Sequence, residues 1–363
     1  MFIMTRFICF FLFLVFSFSA VQAQKRKKIP SEQPRLIVLF EISGMKADFL
    51  YRYDHLFGDD GFKRLLSEGA NCTNACFDYS VVQSMPGLAT LITGANPSEH
   101  GILSDEWYNR QNERVNLGTV EVKPPYFGTF PSSGHSNGFL LAGSFLDELC
   151  LYTNFRSKII SVSTSLPNSV LLSAHAGKTA FCLNPENGEW YNVLSENKAE
   201  PKWVSDFNSK KLGEIYLNRQ WNPELPLEKY TGTPDKLMFY PKKSSFPHDL
   251  SLEFKKNKNY RLLLSTPFGN TLVKDFLVAT IANEELGKDE YCDILTVSFT
   301  VPSAIHLMYG LNSVELEDTY VRMDREIAHF LSFIDETIEK QDVLFILTSR
   351  SEEHTSELQS PNT

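Results

Sequence analysis

Leu36-Ile37-Val38-Leu39-Phe40 is an uninterrupted apolar run that passes through Glu41-Ile42 into Ser43-Gly44-Met45. A run without polar alternation reads as a strand buried on both faces of a parallel sheet. Ser43-Gly44-Met45 reads as the turn that ends it. A helix is expected near Asp48–Tyr53, and a second over 61–68 with Phe62, Leu65 and Leu66 on one side. Ser84-Met85-Pro86-Gly87 reads as a turn, and Leu88–Thr93 as a helix closed by Gly94. The strand pattern recurs at Ile159-Ile160-Ser161-Val162, Ile294-Leu295-Thr296-Val297 and Val343-Leu344-Phe345-Ile346-Leu347. Between the last two, residues 315–339 carry Leu316, Tyr320, Met323, Ile327, Phe330, Leu331 and Ile334 at helical spacing. Strands separated by helices predict an α/β fold, with a mainly parallel central sheet and helices on both faces. Residues from about 183 to 260 differ. They hold Trp190, Trp203, Trp221, many lysines and several prolines, keep no clean period, and read as a cap insertion over the loop edge of the sheet. No internal repeat is evident.

The chain has 363 residues, 42% of them hydrophobic, which is enough for a large core without disulfide staples. Its formal net charge is −9 with the basic residues scattered, so nucleic acid is an unsuitable partner. Residues 1–23 read as a secretory signal peptide: Arg6, the apolar run Phe7–Phe18, and Val21-Gln22-Ala23 as the cleavage region. The apolar run is shorter than the ~20 residues of a spanning helix. The expectation is therefore an exported protein, most simply periplasmic, with no transmembrane helix after cleavage. Residues 24–34 form a polar linker that includes the basic run Lys25-Arg26-Lys27-Lys28, and 35–349 form the folded domain. Cys9 leaves with the signal. Of Cys72, Cys76, Cys150, Cys182 and Cys292, the first two are close enough to bridge or can serve as small buried apolar residues. Arg350-Ser351-Glu352-Glu353-His354-Thr355-Ser356-Glu357-Leu358-Gln359-Ser360 reads as the translation of a common sequencing-adapter oligonucleotide. Residues 350–363 are accordingly expected to be a non-native tail.

In open α/β sheets, ligands bind beyond the carboxyl ends of the strands, which directs attention to the loops after Phe40, Val162, Phe299 and Leu347. The segments around them carry a resemblance. Met45-Lys46-Ala47-Asp48-Phe49-Leu50-Tyr51-Arg52-Tyr53, Gly61-Phe62-Lys63-Arg64-Leu65-Leu66-Ser67-Glu68-Gly69, Pro86-Gly87, Thr93-Gly94, His100-Gly101-Ile102 and Glu106-Trp107-Tyr108 come in order. Asn312-Ser313-Val314-Glu315, Glu317-Asp318-Thr319-Tyr320 and Phe345-Ile346-Leu347-Thr348 follow. Together they resemble the alkaline phosphatase superfamily, in its periplasmic phosphate-irrepressible branch, which is like the type I phosphodiesterase/nucleotide pyrophosphatases.

The resemblance implies two zinc ions that activate a Thr or Ser nucleophile, and a Lys, an Arg and an Asn that hold the phosphate. Carried over residue by residue, the nucleophile falls on Ser84. The first metal-binding Asp falls on Ser43, and the Asp-x-x-x-His pair on Ser303 and Leu307. The phosphate-binding Asn falls on Asp105, and the Lys-x-Arg clamp on Ser165 and Pro167. The Asp-His pair after the last strand would fall on Arg350 and Ser351. Only Ser84 keeps its chemistry. Glu41 and His306 lie beside two of the vacated positions; a shift of register can rescue one position but not all, because the flanking matches fix the register on both sides. No cofactor is therefore predicted here, although zinc is expected in active relatives.

The reading that follows is a degenerate phosphatase with a scaffold or binding role. The alternative is a metal-dependent or Ser84-dependent hydrolase acting on phosphoric esters or on sulfates or carboxyl esters. His100 is the nearest imidazole in sequence that could activate Ser84. A third possibility is a protein partner at the cap, engaged through Trp190, Trp203 and Trp221. Asp48, Asp318 and Asp324 sit in helical stretches and read as capping or surface residues.

Overall fold

Leu36–Ile42 forms strand β1, and its pleat divides the molecule. Leu36, Val38, Phe40 and Ile42 belong to one apolar core, while Leu39 and its neighbour Ile37 pack into another. Successive side chains alternate across a sheet, so both faces of β1 must be covered by helices. The computed structural model describes residues 33–79, 83–108, 114–116, 140–195, 200–232 and 246–350. The expected signal peptide, most of the linker, parts of the 183–260 stretch and the tail after Arg350 lie outside them.

The main sheet holds β1, β2 (Ile159–Ser163), β3 (Thr179–Leu183), β4 (Trp190–Asn192), β5 (Asp293–Phe299) and β6 (Val343–Thr348), in the order β6-β1-β5-β2-β3-β4. All neighbours run parallel except β3 and β4, which form a hairpin. The register sets Leu36 of β1 beside Val343 of β6 and Asp293 of β5. The helices that carry the argument are α1 (Phe62–Glu68), α2 (Ser84–Thr93), α3 (Phe145–Tyr152), α4 (Leu166–Leu171), α5 (Lys202–Ser209), α6 (Phe268–Glu284), α7 (Val301–Tyr309) and α8 (Val314–Thr337). α6 and α8 cover the Phe40 face, where Phe330 of α8 meets Phe40 edge-on at 5.6 Å. α2, α3 and α4 cover the Leu39 face through residues such as Leu88, Leu146 and Leu171.

The expected strands at 36–40, 159–162, 294–297 and 343–347 are all present, each slightly longer than its apolar run. The expected turn at Ser84–Gly87 is instead the first turn of α2. Pro86 does not break it, because an N–H in the first helical turn has no intrahelical acceptor to lose.

Of the tryptophans in the 183–260 stretch, Trp190 and Trp221 are buried and offer no surface to a partner, and Trp203 is half-buried. Trp190 stacks on Phe276 of α6, with centroids 4.3 Å apart. Trp221 is fully buried, and its indole N–H donates to Asp318 Oδ2 at 2.7 Å. Trp203 packs on the same Phe276 and donates to Glu284 Oε1 at 2.8 Å. A segment with short elements of its own gains most by burying such large side chains against neighbouring helices.

Asp318 and Asp324 are buried, so neither is a surface residue, and of the two only Asp324 caps a helix. Asp318 accepts from the Trp221 indole, the Tyr230 hydroxyl (2.6 Å), the Glu224 backbone N–H (2.6 Å) and Arg322 Nε (2.8 Å). Asp324 accepts from the N–H groups of Gly58 and Phe62, so a residue distant in sequence caps α1. Asp48 remains exposed and makes no side-chain cap. Cys72 and Cys76 are exposed free thiols, neither bridged nor buried. Cys182 is buried, and burial pushes its thiol up to about 12, which leaves it inert.

Asp318 is the anchor of this packing. Asp318→Ala strands several buried donors and is expected to cost ~3–5 kcal/mol. Trp221→Phe removes one of them and should cost ~1–2 kcal/mol. Urea unfolding of the two variants checks both the size and the order.

Candidate functional site at the strand ends

The alternation that sends Ile37 and Leu39 toward α2 sends Glu41 to the same face, and Ser43 continues it. On β5, Ile294 packs into that core, so Thr296 and Ser298 share its side. The Thr296 hydroxyl accordingly reaches the carbonyl of Leu172 just past α4, at 3.0 Å. On β2, Ile159 is apolar and Ser161 and Ser163 follow at alternate positions. Each of these three strands therefore changes from apolar to polar on one face toward its carboxyl end. The result is a polar floor beneath the helices that follow the strands.

Glu41 is the centre of that floor and is wholly buried. Its carboxylate accepts from the Ser43 hydroxyl at 3.1 Å and from the Ser298 hydroxyl at 2.5 Å. Ser298 Oγ in turn accepts from Asn168 Nδ2 at 2.8 Å, and Asn168 Oδ1 accepts from the Ser165 hydroxyl at 2.9 Å. One chain of hydrogen bonds thus joins Ser43 to Ser165 across β1, β5 and α4. Arg350 is buried at the same place. Its Nη2 donates to Ser43 Oγ at 3.2 Å, and its Nε lies 3.5 Å from Glu41 Oε1. Ser303, on α7, borders the turn after β1: a Cβ built on Gly44 would lie 3.2 Å from the Ser303 Cβ. Leu307, one turn further along α7, is 69% exposed and faces outward. Pro167 occupies the second position of α4, where the first turn tolerates its missing N–H.

Ser84 opens α2, whose flank packs against α4. Asp105 lies at this helix end. Its Oδ1 accepts from the Met85 N–H at 2.7 Å, and its own N–H donates to Gln83 Oε1. A carboxylate there satisfies a helix-end donor and meets the positive end of the macrodipole. The Asp thus has a structural use at the position where the resemblance implies a neutral amide. His100 does not serve Ser84. It is fully buried, its Nδ1 accepts from the Ile102 N–H at 3.1 Å, and its Nε2 bonds Thr90 Oγ1 at 3.1 Å.

Glu41, Ser298 and Asn168 are the site residues that motif matching passes over. Their signal is the two-residue spacing Glu41-x-Ser43 at a strand end and the three-residue spacing Ser165-x-x-Asn168 at a helix start.

This donor set does not fit zinc. Zinc takes about four nitrogen, sulfur or carboxylate ligands. Here Ser43 and Ser303 offer hydroxyls, Leu307 offers nothing, and the Glu41 oxygens are engaged by hydroxyls beside a guanidinium. Among the described residues no group of three or more His, Cys, Asp or Glu side chains is placed to hold a metal ion.

A parallel sheet with helices on both faces, and a polar site beyond its strand ends beside a helix that opens on a hydroxyl, defines an α/β protein with its candidate ligand site at the carboxyl edge of the sheet. The sequence pattern of the type I phosphodiesterase / nucleotide pyrophosphatase family matches residues 37–350. The chain is similar to alkaline phosphatase PhoV of Synechococcus elongatus, 33% identical over 358 residues, which cover 94% of this chain and 64% of PhoV. It is similar to alkaline phosphatase PafA of Elizabethkingia meningoseptica, 34% identical over 336 residues, which cover 90% of this chain and 61% of PafA. The crystal structure of wild-type PafA superposes with a TM-score of 0.78 at 32% identity, covering 87% of this chain and 62% of that one. The chain belongs to the alkaline phosphatase superfamily, in the type I phosphodiesterase / nucleotide pyrophosphatase family, and spans 61–64% of the length of these curated relatives.

Two outcomes follow from the geometry. Ser298→Ala removes a short charge-assisted hydrogen bond and leaves Asn168 short of an acceptor, so denaturant unfolding should register a loss of ~2–3 kcal/mol. Burial holds the His100 pKa below its ordinary 6.5. The unfolded chain therefore takes up a proton that the folded chain refuses. The His100 contribution to stability is intact above pH 6.5 and is lost as pH falls through 6.5 toward the lower folded value. Unfolding curves at a series of pH values should slope less steeply over that window in His100→Gln.

Proposed function

We propose that this chain is an exported pseudophosphatase: a family member whose strand-end site does not turn over phosphoric esters and that acts as a scaffold or binding protein. The observation that carries this reading is the Glu41 network. Ser43, at the position of a zinc-binding Asp, bonds Glu41, and Ser165, at the position of a phosphate-binding Lys, bonds Asn168. Ser303, Leu307 and Pro167 likewise supply neither metal ligand nor phosphate clamp. The 1–23 leader, with its short apolar run, supports export to the periplasm. Among the described residues no helix is long and apolar enough to cross a membrane.

The competing reading, an active hydrolase, rests on the Ser84 hydroxyl at the first position of α2. Magnitudes decide against it. Zinc lowers the pKa of a bound water from 15.7 to about 7, worth on the order of 12 kcal/mol. A helix N-terminus contributes ~0.3–1 kcal/mol toward an anion. His100, the other candidate activator, is committed to Thr90 and Ile102. The resemblance implies that activity in this family rests on ligand and clamp positions that this chain fills with Ser43, Ser303, Leu307, Ser165 and Pro167.

Metal analysis of the full chain after dialysis, with p-nitrophenyl phosphate as substrate, tests the proposal. We expect zinc far below one equivalent and a trace rate that Ser84→Ala leaves unchanged. Near-stoichiometric zinc with turnover overturns it. Covalent labelling of Ser84 by a fluorophosphonate would establish the competing reading instead.

A further inference from the structure

Two helices of the 183–260 stretch bring together basic residues that the sequence spreads from 210 to 258. Gln220–Trp221 and His248–Asp249 pair antiparallel. The helix Leu212–Leu217 runs into the first of these strands, and the helix Leu250–Asn257 starts from the second. The pairing therefore lays the two helices side by side in opposite directions. At their far end Lys258 Nζ reaches Glu214 Oε1 at 3.4 Å. The pair stands on a fixed base, because Asn208 ties the end of α5 to the sheet. Its Oδ1 receives the Trp190 backbone N–H at 2.9 Å, and its Nδ2–H returns to the Trp190 carbonyl at 2.8 Å.

Each helix turns its apolar side inward. Gly213, Tyr216 and Leu217 are buried on the first, and Leu250 and Phe254 on the second. The outward sides are basic. Lys211, Ile215 and Arg219 follow at intervals of four residues and are exposed, as are Leu252, Lys255 and Lys256. With Lys210 and Lys258, the pair and its ends carry six cations against three carboxylates, in a chain whose net charge is −9. Of the three, Glu214 is met by Lys258, and Asp249 caps the second helix through the Ser251 N–H. The two exposed apolar side chains decide the partner. Ile215 is 46% and Leu252 67% exposed, each beside the cations of its own helix. A soluble polyanion gains from the cations alone. A lipid surface uses both groups: isoleucine and leucine enter the acyl boundary, and lysine stems lie along it with their ammonium groups among the headgroup phosphates. We propose that the outer face of these two helices docks on an anionic lipid surface. It shares no residue with the strand-end site, so it stands whether or not that site turns over esters.

Vesicle co-sedimentation tests the proposal, with phosphatidylcholine alone and with an equal mixture of phosphatidylcholine and phosphatidylglycerol. Pro34–Thr363 is a compact unit, so the chain is used without residues 1–23 and keeps its fold. The mixed vesicles should retain it, and added salt should weaken the binding. Lys255→Gln and Lys256→Gln should each weaken it about fivefold. Leu252→Ser and Ile215→Ser leave the charge unchanged and should each weaken it about tenfold. Lys211 has φ +50°, in the left-handed region that favours glycine. Lys211→Gly should therefore hold or raise the urea midpoint while weakening binding about fivefold, which separates loss of the surface from loss of the fold. The proposal fails if the mixed vesicles retain no more chain than phosphatidylcholine does. It fails if every variant binds as the parent does, the pattern of attraction through Lys25-Arg26-Lys27-Lys28 alone. It fails equally if the lysine variants weaken binding and the two serine variants do not, because that pattern marks a soluble polyanion as the partner.

Discussion

One carboxylate governs the carboxyl edge of this sheet. Glu41 is buried without solvent, and a buried charge is tolerated only when donors surround it. The Ser43 and Ser298 hydroxyls meet that demand from separate parts of the chain. Through Ser298 the demand passes to Asn168 and Ser165, so the loop ends after β1, β2 and β5 are held by one connected set of bonds. Here hydroxyls answer a carboxylate, and their bonds fasten the strand ends to one another.

The pleat explains why that network forms where it does. Leu36, Val38, Phe40 and Ile42 fill the core under α6 and α8, and Ile37 and Leu39 fill the core under α2 to α4. Glu41 and Ser43 extend the second set past the point where apolar side chains can be covered. The fold therefore delivers polar residues to the strand ends simply because the alternation continues while the apolar supply stops. A register slip of one residue would send Glu41 into the Phe40 core, where no donors wait.

Much of this was legible in the sequence. The long apolar runs announce β1, β2, β5 and β6, and helical spacing announces α8. β3 was not foreseen, because Thr179-Ala180-Phe181-Cys182-Leu183 is short and contains residues equally at home in a helix. α2 begins earlier than its pattern suggests, since a Pro in a first turn looks the same as a Pro in a loop. Ser43, Ser165 and Ser84 could be assigned by family resemblance, but their partners could not. Asp105 as a helix cap, Asp324 as the cap of α1 and Asp318 as the receiver of the Trp221 indole are all contacts between distant segments. Local patterns carry no trace of such contacts. The tryptophans misled for the same reason, because an aromatic-rich stretch reads alike whether it faces solvent or a helix such as α6.

The Asn208 amide has a consequence for the ageing of the protein. It sits where another strand would dock, copying a backbone's paired donor and acceptor against Trp190, and so closes the outer rim of β4. Hydrolysis of that amide to a carboxylate would set an oxygen against the Trp190 carbonyl in place of an N–H. A single atom exchange would leave the Trp190 carbonyl unpaired and open the outer rim of β4 to another strand.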